Sequence, residues 1–76
     1  MKEIELDKYV GKRVELIDFQ NKIHEGSFYK IENGRWKRNG TEYQSMINNG
    51  YVLDRNDSLL ALRKSHIKKI RVVGGK

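Results

Sequence analysis

Residues 58–73 read SLLALRKSHIKKIRVV, and this stretch decides the fold. An apolar run (Leu59, Leu60, Ala61, Leu62) meets a basic break (Arg63, Lys64, Ser65, His66), and a second apolar set follows at Ile67, Ile70, Val72 and Val73. Strand, one tight polar turn, strand is how many small β-barrels close. The spacing predicts Leu60, Leu62, Ile67, Ile70 and Val72 in the closing seam, with a short 3-10 turn over Lys64–His66. The same segment carries five Lys or Arg and a histidine between Arg63 and Arg71, so it bears on function as well.

Upstream the pattern is of short strands and turns. Arg13–Asp18 (RVELID) alternates, with Val14 and Leu16 on one face, as a half-buried strand does. Phe19-Gln20-Asn21-Lys22 is a polar turn in which Asn21 tolerates the left-handed conformation. Ile23–Glu32 (IHEGSFYKIE) is a longer strand whose period breaks at Gly26, the mark of a bulge or bend that lets one strand serve two sheets. Asn33-Gly34 and Asn39-Gly40 are turn signals. They bracket Arg35-Trp36-Lys37-Arg38, which reads as a projecting basic loop.

Thr41–Ile47 (TEYQSMI) reads as a strand by Thr and Tyr and as a short helix by Glu, Gln and Met; the strand is preferred. Asn48-Asn49-Gly50 turns, Tyr51–Arg55 is a strand, Asn56-Asp57 a tight turn, Ser58–Arg63 the return and Ile67–Val73 the last strand. Residues 4–10 (IELDKYV) form a helical turn or a lead-in strand, with Ile4, Leu6 and Val10 toward the core, and Gly74-Gly75-Lys76 is a flexible tail. The expectation is one all-β domain over 1–76 with five or six short strands.

Size and composition set further bounds. A chain of 76 residues buries only roughly 60–65 % of its unfolded surface, so oligomerisation is a plausible staple. There is no cysteine, which excludes a disulfide framework and thiolate chemistry. No apolar run approaches the roughly 20 residues of a membrane-spanning helix. The N-terminus is too acidic for a signal peptide, so a cytoplasmic protein is expected. Abundant lysine without cysteine or proline fits a prokaryotic or phage source.

The net charge is +6, from sixteen basic and ten acidic side chains. Residues 1–34 hold six basic and seven acidic (net −1), whereas residues 35–76 hold ten and three (net +7). Such a gradient folds into a positive face that attracts nucleic acid, anionic lipid or an acidic protein partner, or serves solubility alone.

Several segments resemble the Sm-like branch of the SH3-like small barrels. Gly26, Phe28 and Ile31-Glu32 stand where that family's bent second strand has a glycine, an apolar residue and an apolar-acidic pair. Leu60-Ala61-Leu62-Arg63 and Ile67-Lys68-Lys69-Ile70 resemble its closing segment, and Leu6-Asp7-Lys8-Tyr9-Val10-Gly11-Lys12-Arg13-Val14 its lead-in to strand one. The resemblance covers about half the chain and implies an SH3-like barrel. Where the Sm RNA pocket has an Asp and an Asn after strand two and an Arg-Gly after strand four, this chain has Glu32, Trp36 and Arg63-Lys64. What the resemblance implies is therefore the topology rather than the uridine pocket.

Two clusters are candidate nucleic-acid contacts. In the first, Arg35, Lys37 and Arg38 would pair phosphates while Trp36 either stacks on a base or caps the open end of the barrel. In the second, Arg63, Lys64, Lys68 and Lys69 would contact phosphates without reading sequence, or would guard a solvated edge strand. His66 in its turn is expected to bond a backbone carbonyl. Tyr29, Tyr43 and Tyr51 either line a peptide groove or pack in the barrel. No nucleophile elbow, phosphate-cradling glycine loop or metal motif is present. The chain reads as a non-enzymatic, cofactor-free nucleic-acid-binding barrel, with a module for an acidic protein partner and a self-assembling barrel as the alternatives.

Overall fold

The computed structural model describes residues 5–73. The expectations for Ile4 and for the tail at residues 74–76 fall outside them. The described residues are all-β. After a 3-10 turn at Asp7–Tyr9 come β1 (Arg13–Asp18), β2 (Ile23–Ile31), β3 (Arg35–Arg38), β4 (Thr41–Gln44), β5 (Gly50–Asp54) and β6 (Leu59–Leu62). A second 3-10 turn at Lys64–His66 precedes β7 (Ile67–Val72). None of the described helices is long and apolar enough to cross a membrane.

Five strands form one antiparallel sheet in the order β6-β5-β2-β1-β7, and β3-β4 is a separate hairpin. The expected five or six strands become seven because Arg35–Arg38 is a strand and not a loop. Its partner is supplied by Asn39-Gly40, whose φ angles of 51° and 82° give the two-residue turn that matches strand twist. The expected strand over Thr41–Ile47 stops at Gln44. There the Ser45 amide donates to the Gly34 carbonyl (2.8 Å), and the Ile47 amide donates to the Ser45 hydroxyl (3.1 Å), so the chain turns back to the base of the hairpin.

β2 is divided between two neighbours. Residues 23–27 pair with β1 and residues 27–31 with β5, so the two ladders overlap at Ser27. Gly26 stands beside that change of partner. A Cβ at position 26 would overlap the backbone carbonyl of Asp54, so glycine is required there for room, with an ordinary negative φ.

Alternation along β2 and β5 builds two apolar clusters on opposite faces. Phe28, Tyr51 and Leu53 join Leu6, Val14, Leu16, Leu62 and Ile67 in the main core. Ile31 and Val52 face the other way, where Trp36 covers them together with the half-buried Tyr29, Tyr43 and Ile47. β5 is thus buried on both faces over Gly50–Leu53, and the hairpin is a cover for the outer side of the sheet.

The closing segment is corrected in two respects. β6 and β7 are the two ends of the strand order, and no ladder joins them among the described residues. Leu62 and Ile67 are buried and Leu60 and Ile70 pack against the core, but Val72, the last residue of the edge strand β7, is 45 % exposed. The edges differ in chemistry. β7 carries Lys68, Lys69 and Arg71, which discourage pairing with another sheet, whereas β6 reads LLAL and exposes Leu59.

Gly26→Ala is expected to lower stability by about 3 kcal/mol, the upper end for overpacking, because a backbone carbonyl cannot rotate aside. Gly40→Ala has open space and a positive φ, and should cost about 1 kcal/mol. Urea midpoints measure both, and equal midpoints would show that close approach does not fix position 26.

Candidate nucleic-acid interface

The residues singled out from the sequence fall into two places. Arg35, Trp36, Lys37 and Arg38 lie on β3, in the hairpin packed on β2 and β5. Arg63, Lys64, Lys68 and Lys69 lie on the second 3-10 turn and on β7, which is separated from β2 by β1.

The hairpin cluster has mostly internal duties. Trp36 is 5 % exposed and lies between Tyr43 (ring centroids 4.7 Å) and Tyr29 (5.5 Å). Of the two readings of Trp36, stacking on a base and packing as a cap, the buried one fits: strand alternation turns Trp36 onto Ile31 and Val52, and it anchors the hairpin. Arg38 donates to the Asp54 carboxylate (2.7 Å) and the Tyr43 hydroxyl (3.1 Å), and its guanidinium lies 5.1 Å from the Tyr43 ring centroid. This pair holds Arg38 above, and Asp54 below, the usual range. Arg35 is 3.6 Å from Glu42. Lys37 is exposed and has no hydrogen-bond or ion-pair partner among the described residues.

A groove of about 460 Å³ runs past Val10, Tyr29, Lys30, Trp36 and Lys37. Glu32, Arg35 and Glu42 also line it, so its charges nearly balance and it does not select a strongly anionic ligand. Tyr51 takes no part in it. It stacks on Phe28 in the main core (4.9 Å), so the tyrosines do not share one groove.

The tail cluster keeps its charges. Arg63 and Lys69 are exposed and without a partner among the described residues. Lys68 donates to the neutral side-chain oxygen of Asn21 (2.5 Å). A register shift in the β1–β7 ladder leaves Lys68 as the extra residue, which lets Ile67 and Ile70 both turn inward. Lys64 is exposed at the start of the 3-10 turn and acts on the Asp7 carboxylate. Arg71 pairs with Glu15 (2.8 Å) on the outer face, where Glu15 directly opposes Glu25 and Arg13 pairs with Glu25 (3.2 Å). Exposed pairs of this kind contribute about 0–1 kcal/mol and yield readily to a stronger anion.

Phe19 was missed by the sequence reading, and His66 departs from its expectation. Phe19, in what reads as a polar turn, is 59 % exposed. His66 does not use its ring on a carbonyl as expected; the ring lies 4.9 Å from that of Phe19, tilted by 35°. A large aromatic residue inside a turn segment was the available signal.

Asp18 organises this end of the sheet. One carboxylate oxygen accepts from the amides of Gln20 (2.8 Å) and Lys22 (3.0 Å), the other from His24 Nε2 (3.0 Å). Arg55 can only donate, so His24 Nδ1 accepts from it (3.0 Å) and the Nε2 proton points at Asp18. The His24 bond, then the Lys22 amide, hold the Asp18 carboxyl below the usual range. Among the described residues no three His, Asp or Glu side chains are grouped as metal ligands would be.

Comparison with known proteins gives no match: no protein-family model, no curated protein and no solved structure is similar to this chain.

Two measurements follow from these contacts. Trp36, the single tryptophan, should show the blue-shifted emission of a buried indole and resist an aqueous quencher; Trp36→Ala should cost about 3–5 kcal/mol in a denaturant melt. Thermal stability should fall at both pH extremes. Asp7, Asp18 and Asp54 are depressed from 3.8, so their contribution is complete above that pH and is lost as pH falls below it. Burial, then the bond to Asp7, push the Tyr51 phenol up from 10.0 to about 12, so its contribution holds below 10 and is lost as pH rises toward 12. Tyr51→Phe should flatten the alkaline fall and leave most of the acid fall in place.

Proposed function

We propose that this chain is a small non-enzymatic module that binds nucleic acid by its phosphates, along the second 3-10 turn and β7. The observation that supports this reading is the set of cations left uncompensated there. Arg63 and Lys69 have no partner among the described residues, Lys68 has a neutral one, and Arg71 sits in an exposed pair. Phosphate contacts from such side chains position a strand without reading its sequence. In the hairpin Lys37 has no partner among the described residues and Arg35 sits in an exposed pair, whereas Arg38 is held by Asp54 and Tyr43.

We read the sheet as an SH3-like barrel of the Sm-like kind. What supports this is a second strand shared between two neighbours at a glycine and a 3-10 turn before the last strand, as the resemblance implies. Self-assembly is a second reading, favoured by the uncharged, partly exposed β6 edge. A native mass spectrum decides it, since the chain alone is 9.0 kDa.

Titration of labelled single-stranded and duplex oligonucleotides at two salt concentrations tests the binding reading. Affinity should fall steeply with salt, with a log–log slope of roughly −0.9 per phosphate neutralised on duplex DNA. A double Lys68→Gln, Lys69→Gln variant should weaken binding and flatten that slope by nearly two contacts' worth. Absence of binding at low salt would remove the reading.

A further inference from the structure

The β1–β2 turn and the second 3-10 turn meet at one end of the sheet and leave an aromatic surface uncovered there. Winding the turn around Asp18 buries that carboxylate and turns the next side chain, Phe19, outward. The position is rigid: the Phe19 amide donates to the His66 carbonyl (3.0 Å), and the His66 ring backs the phenyl ring at 4.9 Å. Burial would favour a phenyl ring, and neither apolar cluster takes this one in.

What surrounds the ring narrows its ligand. Lys22 lies in the same turn, its side chain exposed and its ammonium without a partner among the described residues. Lys68 reaches the same turn through Asn21, and Arg63 opens the neighbouring 3-10 turn. The carboxylate within the turn, Asp18, is 8 % exposed and occupied by three hydrogen bonds. A flat apolar ring set among uncompensated cations fits a ligand that repeats a flat ring beside a negative charge. A nucleotide unit has that chemistry. Its ring face is accessible in an unpaired strand and hidden within the stack of a duplex.

We propose that Phe19, backed by His66, is a shelf on which an unpaired base stacks while Lys22 and Lys68 hold the adjacent phosphates, so that the protein prefers single-stranded nucleic acid. This rests on the phosphate-binding function above and adds the class of strand. An acidic polypeptide would use the cations and leave the ring without a purpose.

Fluorescence anisotropy with a labelled oligothymidylate and a duplex of equal length tests it. Wild-type protein should bind the single strand more tightly. Phe19→Ala and Phe19→Leu should each reduce single-strand affinity by about 5- to 150-fold and leave duplex affinity unchanged. Phe19→Trp should restore the preference. Leucine keeps an apolar contact for His66, so its failure to rescue separates stacking from support of the turn, and unchanged melting curves show that the variants are folded. Unaltered single-strand affinity in Phe19→Ala overturns the shelf and leaves the phosphate-binding function standing. Binding of polyglutamate as tight as that of the oligonucleotide overturns it in favour of an acidic polypeptide. No wild-type binding to either oligonucleotide at low salt overturns both proposals.

Discussion

Asp54 carries its backbone carbonyl into the space that a side chain at position 26 would fill, and its carboxylate outward to Arg38. The two contacts hold different layers together. The first brings β5 alongside β2 just where β2 leaves β1. The second ties the hairpin to the outer face of that same strand pair. With β5 placed between them, Tyr51 and Leu53 belong to one cluster and Val52 to the other. A domain too small for one large core builds two modest ones that share a pair of strands.

The charge of this protein is better understood by what each cation touches than by the total of +6. In the hairpin, basic side chains meet Asp54 and Glu42 and help to hold an aromatic layer. On the outer face of β1 and β2, Arg13 and Arg71 bracket two glutamates that would otherwise repel each other across the ladder. Arg63, Lys68 and Lys69, beside the second 3-10 turn and on β7, have no acidic partner among the described residues, whereas Lys64 acts on Asp7.

The sequence made much of the sheet legible. Alternation in RVELID marked β1, Asn-Gly pairs marked both turns of the hairpin, and Gly26 marked the change of partner along β2. The reading went astray where one signal outweighed another. A tryptophan between basic residues looked like a loop, although Arg35–Arg38 flanked by two Asn-Gly turns has the spacing of a strand. The unbroken apolar Tyr51-Val52-Leu53 already indicated burial on both faces and hence a cover beyond the sheet. Phe19 passed as one residue of a polar turn, because its exposure depends on how Asp18 is bonded, and local pattern does not carry that. Val72 kept the inward parity expected of it but lies at the far end of the edge strand β7, where it is exposed although Ile67 on the same strand is buried.

The base of the hairpin has a consequence for how the chain finds this arrangement. The Gly34 carbonyl accepts from Ser45, and the Gly34 amide donates to the Asn48 carbonyl, so the segment between β2 and β5 is tied off at its root. Ile31 and Gly50, which open the β2–β5 ladder, are then neighbours across a short connection rather than the ends of a long free loop. Closing a loop costs more entropy as it lengthens, and a hairpin held by a two-residue turn forms from local contacts alone. Once it has formed, the segment that covers the sheet has also shortened the search by which the sheet's central pairing is made.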